Sequence, residues 1–179
     1  IVFFFAFFFL FLSGNIDRTI RLQMYDMMES RQEAIITVLQ SDSSDALKQD
    51  YFDFSVDKYQ VNCIVKKDKV QVLNTKFHDK TVPGLANTIV KESQKVKKDG
   101  DVQQGVYQYG GRLYYYRIRL VKTNEGNAIL ASYMDDTYSQ SLRSSLVDST
   151  FDLTIFAYFA MLLIMMIWVY SITVSYTHL

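Results

Sequence analysis

VYQYGGRLYYYRIRLV, Val106 to Val121, sets a glycine pair between two arms rich in aromatic and β-branched residues. Gly110-Gly111 supplies the two positive-φ positions that a two-residue hairpin loop requires, so the stretch reads as a β-hairpin. The second arm alternates. Tyr114, Tyr116, Ile118 and Leu120 fall on one face, and Leu113, Tyr115, Arg117, Arg119 and Val121 on the other.

The same period of two recurs on either side. Upstream, Tyr59, Val61, Cys63 and Val65 alternate with Gln60, Asn62 and Lys66, the pattern of a half-buried strand, with Ile64 the apolar exception on its polar face. Lys67-Asp68 reads as a turn and Val70 to Leu73 as the partner strand. Thr81-Val82-Pro83-Gly84 is a turn holding the only proline. Leu85 to Lys98 is expected to be a helix, with Lys95, Lys97 and Lys98 as its basic end. Downstream, Asn124 to Asn127 turns the chain into a last strand, Ala128 to Met134. Asp135, Asp136 and Thr137 then offer N-caps for an exit helix through Leu142, Leu146 and Phe151. These elements predict an α+β domain: an antiparallel sheet of about five strands with helices on one side.

The ends of the chain have another character. Leu153 to Thr173 carries no charge and matches the length of about 20 apolar residues that crosses a bilayer. Trp168 and Tyr170 sit near one end of that run, where amphipathic rings favour the headgroup level. Ile1 to Leu12 is also charge-free and is read, over residues 1–14, as part of a first span rather than the apolar core of a signal peptide. From Asn15 to Gln40 an amphipathic helix is expected, its stripe Ile16, Ile20, Met24, Met27, Ala34 and Val38 interrupted by Arg31. A polar break at Ser41 to Asp45 precedes a short helix, Ala46 to Phe52. The expected division is therefore a span at 1–14, a polar domain at 15–152 and a second span at 153–173. The last six residues, VSYTHL at 174–179, fit the reading frame of a transposon end used in sequencing libraries, and are expected to be foreign.

Composition narrows the chemistry. Nineteen basic and 19 acidic residues leave no net charge, so no basic stripe points to nucleic acid. All lie between Asp17 and Asp152. Cys63 is the only cysteine, which rules out an internal disulfide and suggests a small core residue. With His78 and His178 as the only histidines, no Cys/His metal cluster can be assembled. There is no P-loop, nucleophile elbow or paired-histidine zinc motif. The adjacent carboxylates Asp135-Asp136 suit capping rather than acid–base catalysis. No catalytic residue, metal or cofactor is expected.

The stretches YQVNCIVKKDKVQVLN, GGRLYYYRIRL and GNAILASYMDD, in that order and between two apolar segments, resemble the extracytoplasmic PAS-like (Cache-type) sensor domain of bacterial transmembrane sensor histidine kinases. WVYSIT is similar to the end of a second span just before a HAMP linker. The resemblance implies a multi-pass protein of the bacterial inner membrane, a homodimer, and a parent protein whose kinase output addresses a cytoplasmic response regulator. It also implies a small-molecule or peptide ligand held between the sheet and the segments crossing it.

Candidate ligand residues are Arg117 and Arg119, whose guanidinium forks match a carboxylate or phosphate. Tyr107, Tyr109, Tyr114 and Tyr116 are candidates as aromatic walls with polar tips. His78 joins them from the loop before the helix. A regular strand puts Tyr114 and Tyr116 opposite the arginines, so one pocket could take both only at a bulge. The alternative has the arginines facing water and the tyrosines packing the core. Asp135, Asp136 and Thr137 are the expected coupling point to the exit helix. The long striped entry helix suggests a parallel homodimer. Two other functions fit the same sequence: a sensor attached to a chemotaxis or diguanylate cyclase output, and a membrane-anchored structural protein.

Overall fold

A computed structural model describes residues 2–54, 59–74 and 82–177 of the chain. The elements run α1 (Val2–Gln40), α2 (Asp45–Phe54), β1 (Gln60–Lys66), β2 (Lys69–Val72), α3 (Leu85–Ser93), β3 (Val102–Tyr109), β4 (Arg112–Thr123), β5 (Gly126–Asp135) and α4 (Thr137–Thr177). They form two compact units. One holds Arg21 to Ser139; the other holds the first 20 residues together with those from Gln140 onward.

The larger unit is built on a five-stranded sheet in the order β2-β1-β5-β4-β3, every neighbouring pair antiparallel. Three two-residue loops set its register. Tyr109 pairs with Arg112 across Gly110-Gly111, both at positive φ, and Thr123 pairs with Gly126. Lys66 pairs with Lys69 across Lys67 and Asp68, which adopt φ of 46° and 61° without being glycine. The αL region is costly for residues with a Cβ, and a tight hairpin loop demands it nonetheless.

Helices cover both faces of the sheet, not one. On the first face Val61, Cys63, Ile118 and Ala131 pack with Leu85 and Ile89 of α3. On the second, Ile64, Val121 and Leu130 pack with Ile35 and Ile36 of α1 and Phe52 of α2. β1 is consequently buried on both sides up to Lys66 instead of half-buried, and Ile64 is no exception but a core residue of the second layer. The α1 stripe shifts as well. Met24, Met28, Gln32, Ile35 and Ile36 are buried, whereas Ala34 is exposed and Met27 only half-buried. The buried line follows a four-residue step, and Gln32 fills a slot where an apolar residue would be expected.

α3 stops at Ser93, short of the expected Lys98. The Asp101 carboxylate accepts the backbone N–H groups of Lys97 and Lys98 at 3.0 and 2.8 Å, and this local bonding replaces the helical pattern. Those two bonds hold the Asp101 carboxyl below its ordinary pKa. Val96 still reaches the core. Lys95 pairs with Glu92 at 2.7 Å rather than ending a helix.

In the smaller unit the charge-free stretches of α1 and α4 leave large apolar side chains exposed. Phe3, Phe7, Phe156, Ile164, Met166 and Tyr170 are all largely exposed. α1 from Phe3 and α4 to Ser175 are each long and apolar enough to cross a membrane. Apolar surface of this extent needs a hydrocarbon or protein partner. Within this unit Phe5 meets Tyr158 edge to face at 5.4 Å, and Arg143 pairs with Asp17.

Candidate functional site

The candidate ligand residues divide between the two faces of the sheet, because β4 is regular along its length. Tyr107, Tyr114 and Tyr116 lie on the α3 face. The Tyr107 hydroxyl donates to the Pro83 carbonyl at 3.1 Å, and the Tyr114 ring meets Tyr133 at 6.4 Å and 70°. The Tyr116 ring lies over Gly105, where any Cβ would collide with it. Burial pushes the Tyr116 and Tyr133 phenols up from their ordinary pKa, and pushes the Cys63 thiol up to about 12. Cys63 is therefore a neutral core group at physiological pH. Tyr109 stands at the hairpin tip, largely exposed. His78 lies outside the described residues.

Arg117 and Arg119 lie on the other face, against α1. Arg117 is 2% exposed, so it neither faces water nor lines an open wall. One Nη donates to Gln32 Oε1 and the other lies 3.0 Å from Glu29. Arg119 pairs with Glu33. The sheet-facing side of α1 thus presents Glu29, Gln32 and Glu33 at steps of three and one, matched to arginines two apart on β4. Burial draws the Arg117 pKa down, with Glu29 opposing.

A polar layer extends from this pair across three strands. The Gln32 amide donates to the Arg117 carbonyl at 3.0 Å and to Ser132 Oγ at 2.9 Å. Ser132 Oγ in turn donates to Asn62 Oδ1 at 2.7 Å, which also accepts from Gln60 Nε2 at 2.8 Å. Arg31 reaches Gln60 Oε1 at 3.3 Å. Asn74 closes the end by bonding the Gln60 carbonyl and the Asn62 N–H at 2.8 and 3.0 Å, as an extra strand residue would. Asn62, Ser132 and Arg117 are register partners on β1, β5 and β4, which is why they meet. Asn62 Nδ2 and Arg117 Nε have no hydrogen-bond partner among the described residues.

Sequence periodicity identified the arginines but not Gln32, Gln60, Asn62, Asn74 or Ser132. One signal was available: Gln32 continues the four-residue series Ile16, Ile20, Met24, Met28. A polar residue in phase with a buried stripe points to a buried partner.

At the end of β5, Asp135 Oδ1 accepts the Thr137 N–H at 3.1 Å and Oδ2 lies 3.3 Å from Arg112. Ser139 Oγ donates to the Asp136 carbonyl at 2.8 Å. Asp135 thus places a carboxylate on the first turn of α4.

Chemically, these groups bind and orient. Among the described residues no three His, Cys, Asp or Glu side chains are grouped to hold a metal. The two Nη groups of Arg117 already have Gln32 and Glu29 as acceptors, so an anionic ligand forked across them would have to replace one of the two. No family model matches the chain, and neither a curated protein nor a solved structure matches it.

Proposed function

We propose that the chain is the signal-sensing and transmembrane signal-transducing part of a two-component sensor histidine kinase, with residues 15–152 as a PAS-like extracytoplasmic domain. The observation that carries the reading is the junction of β5 and α4. A central strand of the sheet ends at Asp135, and after one residue begins a 41-residue helix containing the charge-free run. The antiparallel sheet and its strand order support the PAS-like assignment. Two helices of membrane-crossing length and composition support the anchoring.

In this reading the α3 face, with its tyrosines, offers a wall for a small molecule or peptide, and the polar layer under α1 is the part of the domain that rearranges. A ligand shifts the balance only through different affinities for the two arrangements. Movement of β5 is passed to the first turn of α4 through Asp135. The output, addressed to a response regulator, belongs to the parent protein, which acts as a homodimer in the inner membrane.

The test is a chimera joining residues 1–173 to the HAMP and kinase core of a receptor kinase. One residue inserted after Ser144 rotates everything downstream by about 100°, and removal of four residues nearly restores phase. The insertion should change basal autophosphorylation and the deletion should disturb it less. A silent insertion refutes the relay.

A further inference from the structure

We infer that the free edge of β3 is a pairing surface for a second copy of this chain, through antiparallel β3–β3 addition centred on Val106. The inference is independent of the relay reading.

β3 ends the sheet, so one side of it has no strand neighbour among the described residues. The two-residue loop makes Tyr109 and Arg112 a hydrogen-bonded pair, and the alternation of an antiparallel ladder then fixes the rest. Gln103, Gly105, Tyr107 and Tyr109 turn their backbone groups to β4. Gln104, Val106 and Gln108 turn theirs outward. No backbone hydrogen bond among the described residues uses those outward groups.

Sheet edges are normally protected by shortness, lysine, proline or a bulge. The opposite edge follows that rule: β2 has four residues and begins with Lys69. β3 has eight residues, with neither charge nor proline, and its register with β4 runs unbroken from Val102 to Tyr109. Val106 is 40% exposed and both glutamines are exposed.

The occupant follows from the sequence of the edge. Gln104, Val106 and Gln108 read the same in both directions. A two-fold axis through Val106 sets Val106 opposite itself and Gln104 opposite Gln108. Gln side chains both donate and accept, so they complement each other. No charge meets its like, and about six backbone hydrogen bonds close between the three outward pairs. The α1 stripe, the other candidate surface for a second copy, is buried within the larger unit at Met24, Met28, Ile35 and Ile36, the last two packed on the chain's own sheet. An unrelated extended peptide would need none of this symmetry.

Single cysteines at positions 104, 106 and 108 of the full chain in detergent micelles test the inference, with buried Cys63 left in place and the unmodified chain as control. Under mild oxidation Val106→Cys should cross-link to twice 20.9 kDa about tenfold faster than Gln104→Cys or Gln108→Cys alone, because only position 106 meets itself at a spacing a disulfide tolerates. Mixing the Gln104→Cys and Gln108→Cys chains should restore the cross-link. Adding Val106→Pro to both should abolish it, since proline removes an outward N–H and leaves the β4 ladder intact. Circular dichroism checks that each variant keeps its fold. Equal rates at the three positions, a mixture that fails to cross-link, or a chain that light scattering finds monomeric would each overturn the inference.

Discussion

Gln32→Leu tests whether the polar layer under α1 is energetically real. The Gln32 amide is fully buried, donates to the Arg117 carbonyl and Ser132, and accepts from the Arg117 guanidinium. Leucine fills the same space but leaves the buried guanidinium without that acceptor. A hydrogen bond to a charged group contributes about 1.5–3 kcal/mol and neutral ones about 1 kcal/mol each, so a non-additive loss of about 3 kcal/mol is expected. Glu29→Gln should cost far less, about 0–1 kcal/mol, because the Glu29 side chain is half exposed. The decisive variant is the double replacement, Gln32→Leu with Arg117→Met. Removing both partners leaves no orphaned charge, so it should be more stable than Gln32→Leu alone. Hydrogen exchange of the β4 and β5 amides in the full chain reads the difference. A loss of about 3 kcal/mol speeds exchange through global opening by roughly a hundredfold, at about 1.4 kcal/mol per decade. If the double variant exchanges as fast as Gln32→Leu, or if Glu29→Gln is the more damaging change, the layer does not work as described.

Three further outcomes are expected. Asp135→Ala should loosen the first turn of α4 by about 0.5–2 kcal/mol, read as faster exchange of its amides, whereas Arg112→Gln should change little because the Arg112 side chain is largely exposed. Gly105→Ala should cost about 1–3 kcal/mol in thermal unfolding, since its methyl group meets the Tyr116 ring. The Cys63 thiol is raised from 9.0 to about 12 in the fold, so its contribution is fully present below pH 9 and is lost as pH climbs toward 12; Cys63→Ala should flatten the decline in stability over that range in urea titrations.

Much of the fold was legible because hairpins are local. Gly110-Gly111, Lys67-Asp68 and Asn124-Glu125 fix loop and register within a few residues, and the strands follow by alternation. The second helical layer was not legible, because a polar strand face is ambiguous. Gln60 and Asn62 carry the side chains of a solvent face, yet both are fully buried against residues from α1 and the loop after β2. Only long-range pairing reveals this, across separations that periodicity does not sample. For the same reason the arginines could be placed on one strand face, but not assigned their partners, Glu29 and Glu33. The end of α3 was missed for a local reason instead: Asp101, three residues beyond Lys98, captures the backbone that would have extended the helix.

The two faces of the sheet differ in how they can respond to force. On the α3 face Val61, Ile118 and Ala131 interdigitate with Leu85 and Ile89, and any slip opens voids among apolar atoms. On the α1 face the contacts between Met28 and Ile35 pass through amides and a hydroxyl, each of which both donates and accepts. A shift there trades one hydrogen bond for another among groups that both donate and accept, whereas Ile118 has no such alternative. If the domain has two arrangements, the boundary between them therefore lies under α1. Its polar partners Arg117 and Ser132 sit on β4 and β5, and β5 is the strand that ends at the Asp135 cap of α4. Replacing the layer with apolar residues should then do two things at once. It should stabilise the sheet relative to Gln32→Leu alone, and in the chimera it should fix kinase output at one level whatever the stimulus. Stabilisation with output still variable would separate the layer from signalling and leave it a structural feature of the fold.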